Sequence, residues 1–333
     1  MLVAGLLVTY GSRWEYLHRV LSRLKADPNI SNVVVVDNAS SVSVAKLVEQ
    51  HGFESFVDVI SNVRNVGSAK AFAQGLARLI ERGCHTHVYM LDDDNEPQEH
   101  AISRLVAMQN EHGERSAQLS LRRDRVEFAQ AELDGRPVRH VRDSFLGYEI
   151  VGALRKRLPG RRTTSTTHRK SQSVEVEYAP YGGLFVPLAV VREVGLPEEG
   201  FVLYVDDHEY TTRMTRAGIQ IRLCLDSVVE DLEKSWHLAK TKKDVPPLFA
   251  EASSDFRIFY SVRNRVAFER EYLVRSRARY LLNVVSVLVL QSVKALLAGA
   301  SIAQVLRRFK LISRAWSDGW NRRLGVCSTF QLG

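Results

Sequence analysis

Three apolar runs, "LVAGLLVTY", "NVVVVDNAS" and "THVYML", dominate the first hundred residues, and each breaks off into polar side chains. A continuous apolar run of this length fits a strand covered on both faces. Between the runs the pattern changes to helical spacing: Leu17, Val20, Leu21 and Leu24 share one face, and so do Ala71, Phe72, Gly75, Leu76 and Leu79, with Gly83 as a stop. "FVDVISN" reads as a further, weaker strand. Strand and helix in alternation predict βαβ units, an α/β class and a mostly parallel sheet flanked by helices. In such sheets functional groups gather beyond the carboxyl ends of the strands. Thr9 and Tyr10, Asp37 and Asn38, Asn65 and Gly67, and Asp92 to Asp94 occupy that position.

Downstream the signals are uneven. Residues 98–110 read as a helix, and 112–175 as a variable basic region. Within it "LRKRLPGRRTTSTTHRK" has no acidic residue, which suits an exposed loop, an anionic acceptor or a membrane surface. Order resumes at "VEVEYAPYGGLFVP". Residues 1–254 are expected to form one α/β domain, and 255–333 a helical, arginine-rich region. Residues 281–297 are apolar but interrupted by Asn283, Ser286, Gln291, Ser292 and Lys294. They predict a buried, interfacial or oligomer-forming helix ahead of a membrane span. The apolar N-terminus has no basic leader and reads as the first strand. Three scattered cysteines give no disulfide framework or zinc spacing, which suits a reducing cytoplasm. A net charge of +8 favours an anionic partner.

Four constellations could carry chemistry. Asp92, Asp93 and Asp94 in "YMLDDDNEP" repel one another unless a hard divalent cation sits among them. On the triplet alone, a solvated acidic turn before Pro97 fits equally well. Asp206, Asp207 and Glu209 in "YVDDHEY" precede a helical stretch. Capping accounts for one acidic residue there, and a general base for another. "SWH" contributes Trp236 and His237; a neutral imidazole can complete an aspartate–metal site, although a lone histidine is more often structural. "SNVRNVGSAKAFAQG" is neither GxGxxG nor a Walker loop, but Gly67 fits a turn that brings backbone close to a ligand ahead of a helix N-terminus.

Taken in order, "VTYGSRWEYL", "VVVVDNAS", "NVRNVGSAKAFAQGL", "YMLDDDNEP", "YGGLFV", "FVLYVDDHEYTTRMTRAG" and "FYSVRNRV" resemble family-2 glycosyltransferases of the GT-A fold, over residues 2–266. The subgroup they are most similar to is the bacterial galactofuranosyl- and rhamnosyltransferases of cell-envelope polysaccharides. The double aspartate of "VDDHEY" and the "SWH" segment lean toward galactofuranose.

The resemblance implies an inverting enzyme with Mn²⁺ or Mg²⁺ and a UDP- or dTDP-sugar donor. It also implies a glycan or lipid-linked acceptor and a place in the cytoplasm or on the inner face of the membrane. It implies that Thr9, Tyr10, Asp37, Asn38, Asn65 and Gly67 line the nucleotide pocket and that Asp93 contacts ribose or sugar. Gly182 and Gly183 would let backbone approach the donor sugar. Asp92, Asp94 and His237 would hold the metal. Asp207 would be the base with Asp206 in reserve, and Trp236 and Arg263 would face the acceptor. Two rival classes are weaker. A nucleotidyltransferase calls for a Gly-rich basic loop after the first strand, where "VTYGSRWEY" has no glycine cluster. A nucleic-acid-binding protein would show a recognisable reading motif, and none occurs.

Overall fold

The structure, a computed structural model, describes residues 1–157, 172–233, 246, 248–250 and 253–332. Its first half follows the predicted alternation: β1 (Val3–Gly11), α1 (Trp14–Ala26), β2 (Ile30–Ser40), α2 (Val44–Gln50), β3 (Val57–Ser61), α3 (Ser68–Arg82) and β4 (His87–Asp92). The four strands pair in parallel in the order β3-β2-β1-β4. Their register sets Thr9 beside Asp37 and Val8 beside both Val36 and Asp92, so the polar strand ends form one crest.

The second half contains β5 (Asn95–Pro97), α4 (Ala101–His112), β6 (Ser116–Leu121), α5 (Val126–Asp134), α6 (Ile150–Arg157), β7 (Ser173–Val176), β8 (Leu184–Pro187) and α7 (Leu188–Val194). A 3-10 turn at Glu199–Phe201, α8 (Asp206–Arg216) and β9 (Gln220–Asp231) complete it. Here the sheet departs from the mostly parallel expectation. β8 runs antiparallel to β4 and β6, β5 and β7 run antiparallel to β9, and the β6–β9 pair is parallel. Parallel pairing needs a crossover each time; β8 instead returns antiparallel beside β4 and links it to the parallel β6–β9 pair. The main path is β3-β2-β1-β4-β8-β6-β9-β5.

β6 lies inside the stretch expected to be a variable loop. Its "SAQLSL" carries polar residues at alternate positions, all buried. Gln118 bonds Gln109, and Ser120 meets the Tyr89 hydroxyl at 3.0 Å. The strand is internal because its polar face finds partners, which periodicity does not reveal.

Two apolar layers cover the sheet faces. A third core joins Phe145 and Val202 to the C-terminal helices α9 (Asp255–Tyr272), α10 (Arg277–Leu297) and α11 (Ile302–Trp320). Each begins at a serine, Ser254, Ser276 or Ser301, whose hydroxyl accepts from the backbone N–H three residues on. Such a cap is worth about 1 kcal/mol.

Candidate active site

A cleft of about 600 Å³ opens beyond the crest of the sheet. Asp92 from β4 and Asp206 and Asp207 from the first turn of α8 line it, with Ser68, Tyr181, Arg125, His208 and Arg265. Asp92 stands more than a hundred residues before the adjacent Asp206 and Asp207, and the fold brings all three to one cleft.

The Asp92–Asp94 triplet divides where β4 ends at Asp92 and the chain turns: Asp93 and Asp94 close on Arg13, and Asp92 faces the cleft. Asp93 turns inward and is only 2% exposed. It accepts from Thr9 Oγ1 at 2.7 Å and from Arg13 Nε at 2.8 Å. Burial still pushes its carboxyl up to about 6, against the pull of Arg13 and Thr9. Asp94 accepts from Arg13 Nη2 at 2.6 Å and from the Asn95 amide at 2.9 Å. Burial and the neighbouring Asp92, Asp93 and Asp231 raise it to about 7. Asp92 points into the cleft with 47% of its side chain open, its oxygen 3.8 Å from Arg122. The surrounding walls raise it too, because water lost around the charge outweighs that cation.

The α8 pair is asymmetric. Asp206 is buried and accepts from Ser68 Oγ at 2.9 Å. Burial, reinforced by Asp207, holds its carboxyl well above the ordinary range and favours its protonated form. Asp207 is raised less: the His208 backbone N–H donates to it at 2.7 Å, and Arg125 and Arg122 favour its charge. One proton on Asp206 and a carboxylate at Asp207 is the expected division for two close acids in a shared low-dielectric wall.

Residues 6–171 match the family model described as Glycosyl transferase family 2. The chain carries a family 2 glycosyltransferase domain. Among solved structures it is similar to GalNAc-T7 with UDP, GalNAc and Mn²⁺: TM-score 0.54, 13% identity, 81% of this chain and 52% of that one. The glycosyltransferase thus spans about half the length of the GalNAc-T7 chain. It is also similar to S. aureus TarS 1–349 in complex with UDP-GlcNAc: TM-score 0.53, 14% identity, 96% of this chain and 80% of that one. The mannosyltransferase PcManGT from Pyrobaculum calidifontis, in complex with GDP-Man and Mn²⁺, gives TM-score 0.52, 13% identity, 96% and 82%. These likenesses speak to the fold, which is consistent with the GT-A arrangement. No curated protein matches the sequence.

Several residues expected at the glycosyltransferase's site have other partners. Thr9 and Asp93 bond each other, and half-exposed Tyr10 carries the Arg13 guanidinium over its ring. Asp37 accepts from the Ser40 backbone. Asn38 and Asn65 bond one another and the Val66 and Gly67 N–H groups, bracing the turn before α3.

Gly67 does allow a close backbone approach, but to protein. A Cβ there would lie 2.2 Å from the Val202 carbonyl, at φ +86°. That carbonyl also accepts from Ala69 N, so the N-terminus of α3 faces Val202 and Asp206. Gly182 leaves room for Asn95, Arg122 and Asp92, and Gly183 packs against Ser120.

Arg263 does not face an acceptor. It is buried, bonds Asn264 and the Gly325 carbonyl, and lies over the Tyr260 ring. Helical spacing turns Arg263 into the core and presents Ser261 and Arg265 to the cleft. Trp236 and His237 lie outside the described residues. Among the described residues no group of three or more His, Cys, Asp or Glu side chains is arranged to hold a metal.

The cleft residues that the motifs did not disclose are cationic or aromatic. Arg265 reaches within 3.5 Å of His208 Nδ1 and pairs with buried Glu269 at 2.9 Å. Burial, then Arg265 and Arg125, drive His208 down to about 3, so it stays neutral. Arg122 is wholly buried beneath Asp92, where it bonds Asn95, Asp124 and Asp231. The Tyr181 hydroxyl is buried at the cleft wall with no hydrogen-bond partner.

Proposed function

We propose that the enzyme transfers a glycosyl group from a nucleoside-diphosphate sugar to an acceptor hydroxyl with inversion, using Asp207 as the base. The observation that carries this reading is the convergence of Asp92, Asp206 and Asp207 on one cleft, with Asp206 buried on Ser68 and Asp207 beside it. Asp207 removes the acceptor proton as the acceptor oxygen bonds the anomeric carbon. The bond from that carbon to the diphosphate oxygen breaks, and its electron pair leaves with the diphosphate. Arg125 and Arg265 supply positive potential to that leaving charge. Arg122 holds Asp92 in place from beneath.

Asp92, a hard oxygen donor open to the cleft, fits a divalent cation, and Asp94 would join it on release of the Arg13 and Asn95 bonds that now take both its oxygens. His237 would be the third ligand. Mn²⁺ or Mg²⁺ held there would offset charge growing on the diphosphate. GalNAc-T7 and PcManGT are each described with Mn²⁺, which supports this choice.

The donor we propose is UDP-galactofuranose, on the resemblance of "VDDHEY" and "SWH", with dTDP-rhamnose as the alternative. The acceptor we propose is a lipid-linked glycan at the inner face of the cytoplasmic membrane. A panel of UDP-galactofuranose, dTDP-rhamnose and UDP-hexopyranoses with Mn²⁺, and product linkage read by NMR, tests the reading. One donor should give an inverted product. Absence of transfer and of donor-induced thermal stabilisation across the panel would overturn it.

A further inference from the structure

We infer that α10 docks on an anionic lipid bilayer, lying in the plane of its surface. Leu282, Val285, Val289, Val293 and Leu296 are all exposed. Their spacing of three, four, four and three residues places them along one side of the helix. Leu297 and Ile302, 83% and 71% exposed, extend the apolar surface through the turn into α11. An exposed apolar stripe of this length marks an interaction surface.

Charge identifies the occupant. From Tyr272 to Ser317 the chain has no Asp or Glu and eight Lys or Arg. Arg307 and Arg308 pair with Asp255 and Arg308 is buried, which leaves Arg275, Arg277, Arg279, Lys294, Lys310 and Arg314 exposed to a surface. Arg275, Arg277 and Arg279 stand at one end of α10 and Lys294 near the other, all exposed. A second copy of the chain would set two such segments against each other. An anionic headgroup layer would attract them, at roughly five-fold in affinity per cation near the surface.

The opposite side of α10 argues against a span. Tyr280, Asn283, Val284, Val287 and Leu288 are buried against the protein, and Asn283 bonds the Asp143 carbonyl and the Ile150 N–H. Crossing a bilayer would strip those contacts, whereas an interfacial helix keeps them and buries only its free face. The 143–150 segment fixed by Asn283 also carries Leu146, which lines the cleft. If the transfer reading above holds, the docked face places the cleft beside the surface that presents a lipid-linked acceptor.

Flotation of the full chain with vesicles tests the docking independently of transfer. The vesicles are phosphatidylcholine alone, or phosphatidylcholine with 30% phosphatidylglycerol. The protein should float with the anionic vesicles, at least ten-fold less with neutral ones, and wash off in carbonate. Val285→Glu with Val289→Glu should lower binding at least ten-fold while far-UV circular dichroism is unchanged. Arg275→Ala with Arg277→Ala and Arg279→Ala should remove the preference for anionic lipid. Failure of the wild type to float would overturn the proposal. So would resistance to carbonate, or a dimer in light scattering that the Val285→Glu and Val289→Glu changes dissociate.

Discussion

Ser68 Oγ donates to Asp206 Oδ2 at 2.9 Å, tying the first residue of α3 to the first residue of α8. This bond joins two segments 138 residues apart and fixes the buried acid beside Asp207. It satisfies one oxygen of Asp206 without supplying a charge, so burial and Asp207 prevail and the carboxyl is raised.

The two aspartates should therefore fail differently. Asp207→Asn should retain donor binding and lose about 10³-fold or more in turnover, since general base catalysis contributes about 10²–10⁴-fold. Asp206→Asn keeps a neutral group of the same shape and should lose ten-fold or less. Its limb of rising activity with pH should stay close to the wild-type one, because a neutral amide replaces an acid whose protonated form burial already favours. Steady-state rates from pH 5 to 9 check both. Equal losses in the two variants would reject the division of roles.

Tyr181→Phe should separate binding from folding. The hydroxyl has no hydrogen-bond partner among the described residues, and Asp206 and Asp207 lie near enough to perturb it. Its removal should leave the melting temperature unchanged or slightly raised, because an unsatisfied buried group is lost. Turnover and KM should stay within about two-fold of wild type, because a hydroxyl closed off from the cleft meets no substrate. A loss of about five-fold or more would show that the wall opens to admit a substrate bond.

Gly67→Ala should unfold the crest of the sheet. The new Cβ meets backbone, the Val202 carbonyl at 2.2 Å, and φ +86° is strained for any other residue. A loss of about 3 kcal/mol or more is expected, read as a drop in denaturant midpoint with unchanged slope. Gly11→Ala has the same sign of φ with open space around it and should cost about 1 kcal/mol.

The parts of this fold legible in the sequence are those with long-range periodicity. β1, β2, β4, α1 and α3 follow from apolar runs and helical faces, and the crest of Thr9, Asp37 and Asp92 follows from where the runs end. Asp206 and Asp207 were visible as an excess of acid over what a helix cap needs. Pairing was not visible. Nothing in "VTYGSRWEY" announces that Arg13 closes on Asp93 and Asp94, because that contact depends on β1 and β4 being neighbours. The burial of Arg263 beside cleft-facing Arg265 turns on the rotation of α9, which a weakly amphipathic sequence does not define. β6 was hidden because buried polar residues paired across strands look like loop.

Acid should destabilise the protein through two histidines. His140 and His208 are both driven down to about 3, first by burial; Arg265 adds to this for both, and His208 adds to it for His140. A folded-state value below the unfolded one of about 6.5 means the unfolded chain binds more protons between the two. Stability is therefore fully present above about pH 6.5 and falls as pH drops toward 3. His140→Gln should flatten the wild-type slope of unfolding free energy between pH 6.5 and 4. Parallel slopes for wild type and variant would exclude His140 from the effect.

The loop that delivers Asp206 and Asp207 is strained, and one side chain holds it. Val202, Tyr204 and Val205 all have positive φ, between 65° and 68°, where β-branched residues are rare. Each such residue costs about 1–3 kcal/mol and persists only when its surroundings impose it. The Asn264 amide nitrogen supplies that constraint from α9, lying 2.6 Å from the Phe201 carbonyl, 2.6 Å from that of Leu203 and 3.1 Å from that of Tyr204. Asn264→Leu preserves volume and leaves these buried carbonyls without their donor. It should lower stability by about 2–4 kcal/mol and let the loop relax toward ordinary backbone angles. The base at its end would then drift, so turnover should fall by ten-fold or more even at temperatures where the variant is fully folded. Asn264→Asp, which offers an acceptor to the same carbonyls, should be worse on both measures. Circular dichroism melts paired with single-turnover rates at 15 °C separate the two effects, and a folded Asn264→Leu variant with full turnover would show that the strained loop does not depend on this amide.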